Sequence, residues 1–293
     1  MNDRLDWEHL PPSVRDVIED RTGTVIKAET VIGRRPRCAT RLYAKEDDVF
    51  IKAVPANSPA AEPYRREQWA ARHLPVPAPA PRLLWSLEID SWLVLAFELV
   101  NDYARHVDLR HDSDDLPPVL DAVGWLAAER CALPGPSAIE HFSGLYAKGR
   151  LMLDQPHVRD LYLPALEGFD IDRLGGSTLI HGDLGPRTLL TKDTVIYGID
   201  WSTASLGAWW IDLALLGPQL IADGHSPEQA DELLSAAAPA WANTPAPDVI
   251  GLTAICGSHR LYQAEYGPGS RRDEALRLAH ACRTWLTHWR ARR

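Results

Sequence analysis

Residues Leu179–Leu216 read LIHGDLGPRTLLTKDTVIYGIDWSTASLGAWWIDLALL. A short apolar strand over 177–180 leads into His181-Gly182-Asp183, and the chain turns apolar again at Leu189-Leu190. A second run, Val195 to Ile199, delivers another carboxylate, Asp200. Two acids at the ends of neighbouring short strands are placed to face one cleft, and loops on a rigid scaffold are where chemistry sits. An aspartate flanked by histidine and glycine just after a strand suits a general base. Each also has a plain alternative, because Asp and Gly are common in turns for local reasons. Partners elsewhere in the chain decide between the two.

Upstream, the pattern from Thr22 to Val54 is β: TVIKAETVIG, CATRLYAK and DVFIKAV are short runs of branched and aromatic residues separated by GRRPR, which contains Gly33, and by EDD. They predict an antiparallel meander. A helix is predicted from Ala61 to His73. Pro75, Pro77, Pro79 and Pro81 then force an extended segment, since each fixes φ and removes a donor. RLLWSLEI and WLVLAFELV predict a fourth and fifth strand. Within the third strand lies Lys52, which strand alternation allows to point to solvent; a functional lysine needs an anionic partner. Glu67, in the following helix, supplies one unless it sits on a solvated face. A lysine held by a glutamate keeps its charge and is positioned for phosphate oxygens. Glu62 is a second candidate at the helix start. Neither GxGxxG nor GxxxxGK[ST] occurs, which excludes a Walker-type phosphate loop.

Beyond Asn101 the pattern turns helical. PPVLDAVGWLAAERCAL, SAIEHFSGLYAKGRLMLD and HVRDLYLPALEGF precede the opening stretch, and PEQADELLSAAAPAWA, APDVIGLTAICGSHRLYQAEYG and a long C-terminal run follow it. Ser226 before Pro227 is a helix start signal. The expected plan is α+β: a β-rich lobe over 1–100, a link near 98–103, and a larger, mainly helical lobe over 101–293.

The composition narrows the partners. A formal net charge of −9 repels nucleic acid and anionic membrane surfaces and would favour a cationic small substrate. Cys38, Cys131, Cys256 and Cys282 form no CxxC pair, so neither a zinc site nor a disulfide framework is expected. No signal core and no apolar membrane span is visible, and a cytoplasmic protein is expected. The histidines show no HExxH, with His106 and His111 read as surface residues; Trp209, Trp210, Trp285 and Trp289 are read as core.

With these residues together, the chain resembles the aminoglycoside phosphotransferase and choline kinase family of small-molecule kinases, which share the protein-kinase-like fold. HGDLGPRTLL resembles that family's catalytic loop, and IDWSTASLGAWWIDLALL its metal-binding segment and following helix. More loosely, VFIKAV resembles the lysine strand, YRREQWAARHL the glutamate helix and WLVLAFELV the hinge strand. The resemblance implies that Asp183 orients or deprotonates the acceptor hydroxyl and that Asp200 holds Mg²⁺ on the nucleotide. It implies that Lys52, braced by Glu67, contacts the α- and β-phosphates of ATP or GTP, as in the protein-kinase template. Backbone groups of Phe97, Glu98 and Leu99 would receive the adenine, while His181 and Asp212 would hold the loop in shape.

Two departures from the family pattern stand out. The asparagine usual five residues after the catalytic aspartate is Thr188, whose hydroxyl is the expected second metal ligand. The acid usual just before the following helix is Ala208. The resemblance favours an aminoglycoside or another antibiotic as acceptor, with resistance by modification. Glu265, Asp231, Glu232 and Asp223 are the candidate acceptor-binding acids. Two alternatives are open: a kinase of a sugar, amino alcohol or nucleoside-type antibiotic, or a nucleotide-binding pseudoenzyme suggested by Thr188.

Overall fold

The computed structural model describes residues 5–31, 38–100 and 104–292. The connection around Gly33 and the link residues 101–103 lie outside them. The chain divides into two compact units: Met1–Leu74 with Pro79–Ala104 and Tyr197–Ser202, and Pro75–Ala78 with Arg105–Ile196 and Thr203–Arg293. The segment carrying Asp200 thus belongs to the first unit.

The first unit opens with α1 (Pro12–Thr22), started by proline in its first turn, and then forms β1 (Val25–Thr30), β2 (Cys38–Ala44) and β3 (Val49–Pro55). After α2 (Glu62–His73) come β4 (Leu83–Ile89) and β5 (Trp92–Glu98). The five strands make one antiparallel sheet in the order β1-β2-β3-β5-β4. Apolar residues fill both faces. Val49, Ile51, Ala53, Val94 and Ala96 pack with Val14 and Ile18 of α1. Val54, Leu93, Leu95 and Phe97 pack with Ala61 and Tyr64 on the side of α2. Alternation therefore leaves neither face of β3 open to solvent between Val49 and Val54. Lys52 has the parity of Val54 and pairs in register with Leu95, so it projects to the face that α2 covers.

The second unit contains β6 (Arg105–His106), α3 (Leu116–Ala128), α4 (Ala138–Gly149) and α5 (Pro156–Glu167). Next come β7 (Thr178–Ile180), β8 (Leu189–Lys192), β9 (Val195–Gly198, whose end passes into the first unit) and β10 (Ser205–Gly207). α6 (Ile211–Ala222), α7 (Pro227–Ala237), α8 (Ala246–Tyr266) and α9 (Arg272–Ala291) complete it. The expected helix over 117–133 stops at Ala128, because Cys131 N–H donates instead to Ser177 O at 2.7 Å. α7 likewise ends before Pro239, which starts a short 3₁₀ turn. Its start is a capping box: Ser226 accepts from Gln229 N–H at 3.2 Å and the Gln229 side chain accepts from Ser226 N–H at 2.8 Å.

α8 is the spine of this unit. Its residues from Asp248 to Ile255 are buried, and it packs on α4, α5, α6 and α9. Trp241, Trp285 and Trp289 form a buried aromatic cluster, and Trp210 is also buried. His106 and His111 are exposed. No helix among the described residues is long and apolar enough to cross a membrane.

Candidate active site

In the first unit, the sheet and α2 bring Lys52 and Glu67 together. Lys52 Nζ donates to both carboxylate oxygens of Glu67, at 2.6 and 2.7 Å. Side-chain exposure is 13% for the lysine and 4% for the glutamate, so the pair is almost dry. Burial pushes the Glu67 carboxyl above its ordinary range; Lys52 opposes the rise, Asp200 adds to it, and a hydrogen bond from the Trp201 backbone opposes it again. The competing candidate, Glu62, is exposed and lies near Arg66 at 3.9 Å.

Asp200 reaches the same pair, with Oδ1 3.7 Å from Lys52 Nζ. Its backbone is left-handed, at φ 60°, which a short polar aspartate tolerates better than most residues. The surrounding loop fixes that turn: Gly198 N–H donates to Pro79 O at 2.6 Å and the Trp201 indole to Gly198 O at 2.8 Å. Strained backbone of this kind gathers at ligand-binding positions. Mg²⁺ on a nucleotide takes one or two protein carboxylates, with phosphate oxygens and water completing its shell. Asp200, whose side chain is 34% exposed, fits that donor set. Among the described residues no group of three or more His, Cys, Asp or Glu forms a self-sufficient metal cage.

In the second unit, β7 and β10 pair antiparallel, Ile180 opposite Ser205, which delivers the start of α6 beside the end of β7. Asp212, in the first turn of α6, is buried and accepts from His181 N–H at 2.7 Å and from Gly182 N–H at 2.9 Å. Burial raises its pKa while His181 and the two amides oppose the rise. Gly182 turns at φ 78°, and a Cβ there would sit 3.0 Å from Thr203 O, so the turn requires glycine. Thr203 Oγ1 donates to His181 O at 2.8 Å. Asp183 follows this braced turn; its N–H donates to His181 Nδ1 at 3.3 Å and its Oδ1 accepts from Arg260 Nη2 at 3.1 Å.

No family model and no curated protein sequence matches the chain. Solved structures do. A thermostable mutant of aminoglycoside phosphotransferase APH(4)-Ia, in ternary complex with ADP and hygromycin B, matches with a TM-score of 0.65 at 17% identity, over 94% of this chain and 98% of that one. The chain has the aminoglycoside phosphotransferase fold. Spectinomycin phosphotransferase APH(9)-Ia, bound to ADP and spectinomycin, matches at 0.62 and 11%, over 94% and 98%. Choline kinase LicA from Streptococcus pneumoniae matches at 0.61 and 16%, over 92% and 99%. The expected kinase-like α+β fold is therefore the observed one.

On this aminoglycoside phosphotransferase fold, several sequence candidates stand in unexpected surroundings. Thr188 is buried, and its hydroxyl donates to Asp183 O at 2.7 Å while accepting from Gly185 N–H at 3.1 Å. It ties the loop to itself. Phe97 packs in the core of the first unit, and Glu98 N–H already donates to Arg82 O at 2.9 Å, so Glu98 does not present that amide to an adenine. Leu99 lies just beyond β5, half-buried. Of the acceptor candidates, Asp231 accepts from the Trp241 indole at 2.8 Å and pairs with Arg292, and Asp223 pairs with Arg277 at 3.0 Å. Both carboxylates are engaged in joining helices of the second unit. Glu232 and Glu265 are exposed on α7 and α8. The residue sequence reasoning missed is Arg260. A lone arginine in the mostly apolar GLTAICGSHRLYQAEY is the signal that could have found it, since a cation in such a helix needs a partner.

Proposed function

We propose that the chain transfers the γ-phosphoryl group of ATP to a hydroxyl of a small molecule, with Mg²⁺ accompanying the nucleotide. The observation that carries this reading is the buried bidentate Lys52–Glu67 pair with Asp200 beside it, on a fold otherwise seen holding ADP. Phosphoryl transfer asks little covalent work of a protein; it needs phosphates positioned and charge neutralised. An ammonium has three donors, and two of Lys52's point at Glu67. The pair aims the remaining charge at phosphate oxygens rather than letting the side chain wander. Asp200 is the residue that would hold the metal, which when bound neutralises charge on the phosphates. Asp183, on a loop braced by Asp212, Thr203 and Thr188, accepts a hydrogen bond from the acceptor hydroxyl and takes its proton as the new P–O bond forms and the γ-phosphorus–oxygen bond to the β-phosphate breaks, releasing ADP.

The neighbours' acceptors, hygromycin B and spectinomycin, make an antibiotic the first class to try, with sugars and choline-like alcohols next. The test is turnover. Purified protein with Mg²⁺ and ATP or GTP is screened by mass spectrometry for an acceptor gaining one phosphoryl group, alongside Asp183→Asn. Transfer that disappears in Asp183→Asn supports the reading. Transfer that persists at the wild-type rate in Asp183→Asn refutes it, and tight nucleotide binding without turnover on any acceptor favours a nucleotide-binding pseudoenzyme.

A further inference from the structure

We infer that Arg260 is a positioning residue for Asp183, fixing the carboxylate from a helix 77 residues further along the chain. The inference rests on the phosphotransferase reading above. α8 is buried along most of its length, and Arg260 follows directly on the run of residues packed inside the second unit. A guanidinium half-buried at such a place is tolerable only when its donors are matched. Both terminal nitrogens are. Nη2 donates to Asp183 Oδ1 at 3.1 Å, and Nη1 donates to Gln263 Oε1, one turn along α8, at 3.0 Å.

The other groups that act electrostatically with Arg260 include the adjacent His259 and the thiols of Cys256, one turn earlier, and Cys282 on α9. Burial pushes both thiols up, Cys282 to about 12, so they are neutral and no thiolate competes for the guanidinium. Asp183 is thus the carboxylate Arg260 serves.

Position is divided between two sets of contacts. The Asp183 backbone is held by Thr188 at its carbonyl and by His181 at its amide. Those bonds act on the backbone and set where the residue sits. Arg260 fixes one carboxylate oxygen and hence the plane of the group. An arginine fork is suited to this because its donors are rigid, whereas a lysine makes a looser, single contact. Gln263 restrains the arginine in turn. In the mechanism above, this orientation decides whether the second oxygen meets the acceptor hydroxyl, and misplacement by an ångström lowers rates by roughly 100-fold.

The experiment uses the full chain with Mg²⁺ and ATP, following hydrolysis and, once an acceptor is found, transfer. Wild type is compared with Asp183→Asn, Arg260→Met, Arg260→Lys and the double variant Asp183→Asn/Arg260→Met, with melting temperature recorded for each. Positioning predicts that Arg260→Met lowers kcat roughly 10- to 100-fold with nucleotide KM unchanged, and that Arg260→Lys recovers part of the loss. It also predicts that the double variant is no slower than Asp183→Asn alone, because an arginine acting through Asp183 has nothing left to orient. An unchanged or raised kcat in Arg260→Met overturns the inference, the raised value identifying the pair as a latch that holds Asp183 back. Equal losses in the two backgrounds overturn it too, reducing the pair to a structural staple. Should Arg260→Met not fold, Gln263→Ala keeps the ion pair but loosens its arginine, and a kcat reduced less than tenfold is expected; no change there counts against positioning. If Asp183→Asn turns over like wild type, or wild type turns over no nucleotide, the phosphotransferase reading itself fails.

Discussion

Glu67→Gln keeps the shape of the side chain and removes its charge. Lys52 is then left nearly buried, with Asp200 Oδ1 at 3.7 Å beside it. Removing one partner of a buried ion pair costs about 3–5 kcal/mol. Asp200, its side chain 34% exposed, offsets part of that cost. The net loss is on the order of 2–4 kcal/mol, a fall of roughly 5–10 °C in melting temperature. Lys52→Met is the informative companion. Burial already raises the Glu67 pKa and Lys52 is what opposes the rise, so without the lysine the folded-state pKa climbs further. Glu67 then escapes its unpaired charge by binding a proton, an exit that a buried lysine facing glutamine takes less readily.

Lys52→Met should therefore destabilise less than Glu67→Gln. With the folded pKa above the unfolded one, the benefit of proton uptake is fully present below the unfolded pKa and is lost as pH rises through the folded value. Lys52→Met should accordingly lose ground to wild type as the solution is made alkaline. Urea unfolding of both variants across pH 5 to 8 tests this. A Glu67→Gln cost within experimental error of zero, or a Lys52→Met deficit that does not grow with pH, would refute the assignment of the pair as dry and charged.

Asp212→Ala removes the acceptor of two buried amides and should destabilise by about 2–5 kcal/mol, read by denaturant unfolding, with turnover lost because the carboxylate that shapes the His181–Asp183 turn is gone. Thr188→Val, of nearly equal volume, should cost about 1 kcal/mol and lower kcat, whereas Thr188→Ser keeps both; if Thr188→Val instead changes the Mg²⁺ dependence alone, the hydroxyl is a metal ligand after all. His259 is held down to about 4, first by burial and then by Arg260 and Lys148. Its folded pKa lies below the unfolded one, so stability should fall as pH drops from about 6.5 to 4, by roughly 3 kcal/mol at about 1.4 kcal/mol for each pH unit separating the folded and unfolded values. His259→Asn should flatten that slope in urea titrations at several pH values, and an unaltered slope would assign the acid sensitivity elsewhere.

What was legible in the sequence was what is local in the chain. Strand alternation around VFIKAV and the helix after it placed Lys52 near Glu67, but alternation alone allowed the lysine to face solvent. Deciding that took the second covered face of the sheet, a tertiary fact. Thr188 shows the opposite difficulty. Its bonds to Asp183 and Gly185 span only five and three residues, the ordinary loop chemistry of a threonine, a role that comparison with a family asparagine did not bring out. Asp223 and Asp231 read as candidate acceptor-binding acids because their partners, Arg277 and Arg292, lie more than fifty residues away. Arg260's partner was hidden for the same reason, since nothing near the arginine in sequence announces Asp183.

The turn at His181–Asp183 has a consequence for how the protein is made. Its two amides wait for a carboxylate 30 and 31 residues downstream, and the carboxylate of Asp183 waits for a guanidinium 77 residues downstream. As the chain leaves the ribosome, HGD emerges without the groups that shape it. It can take its final form only after α6, and then α8, have been synthesised and packed. Contacts of such long sequence separation form late because the intervening chain must first be ordered. The same holds for Asp200, which joins a sheet completed about a hundred residues earlier. A chain terminated before α8 thus exposes no assembled turn at His181–Asp183, and competence for the proposed chemistry arrives only once α8 has been made and packed.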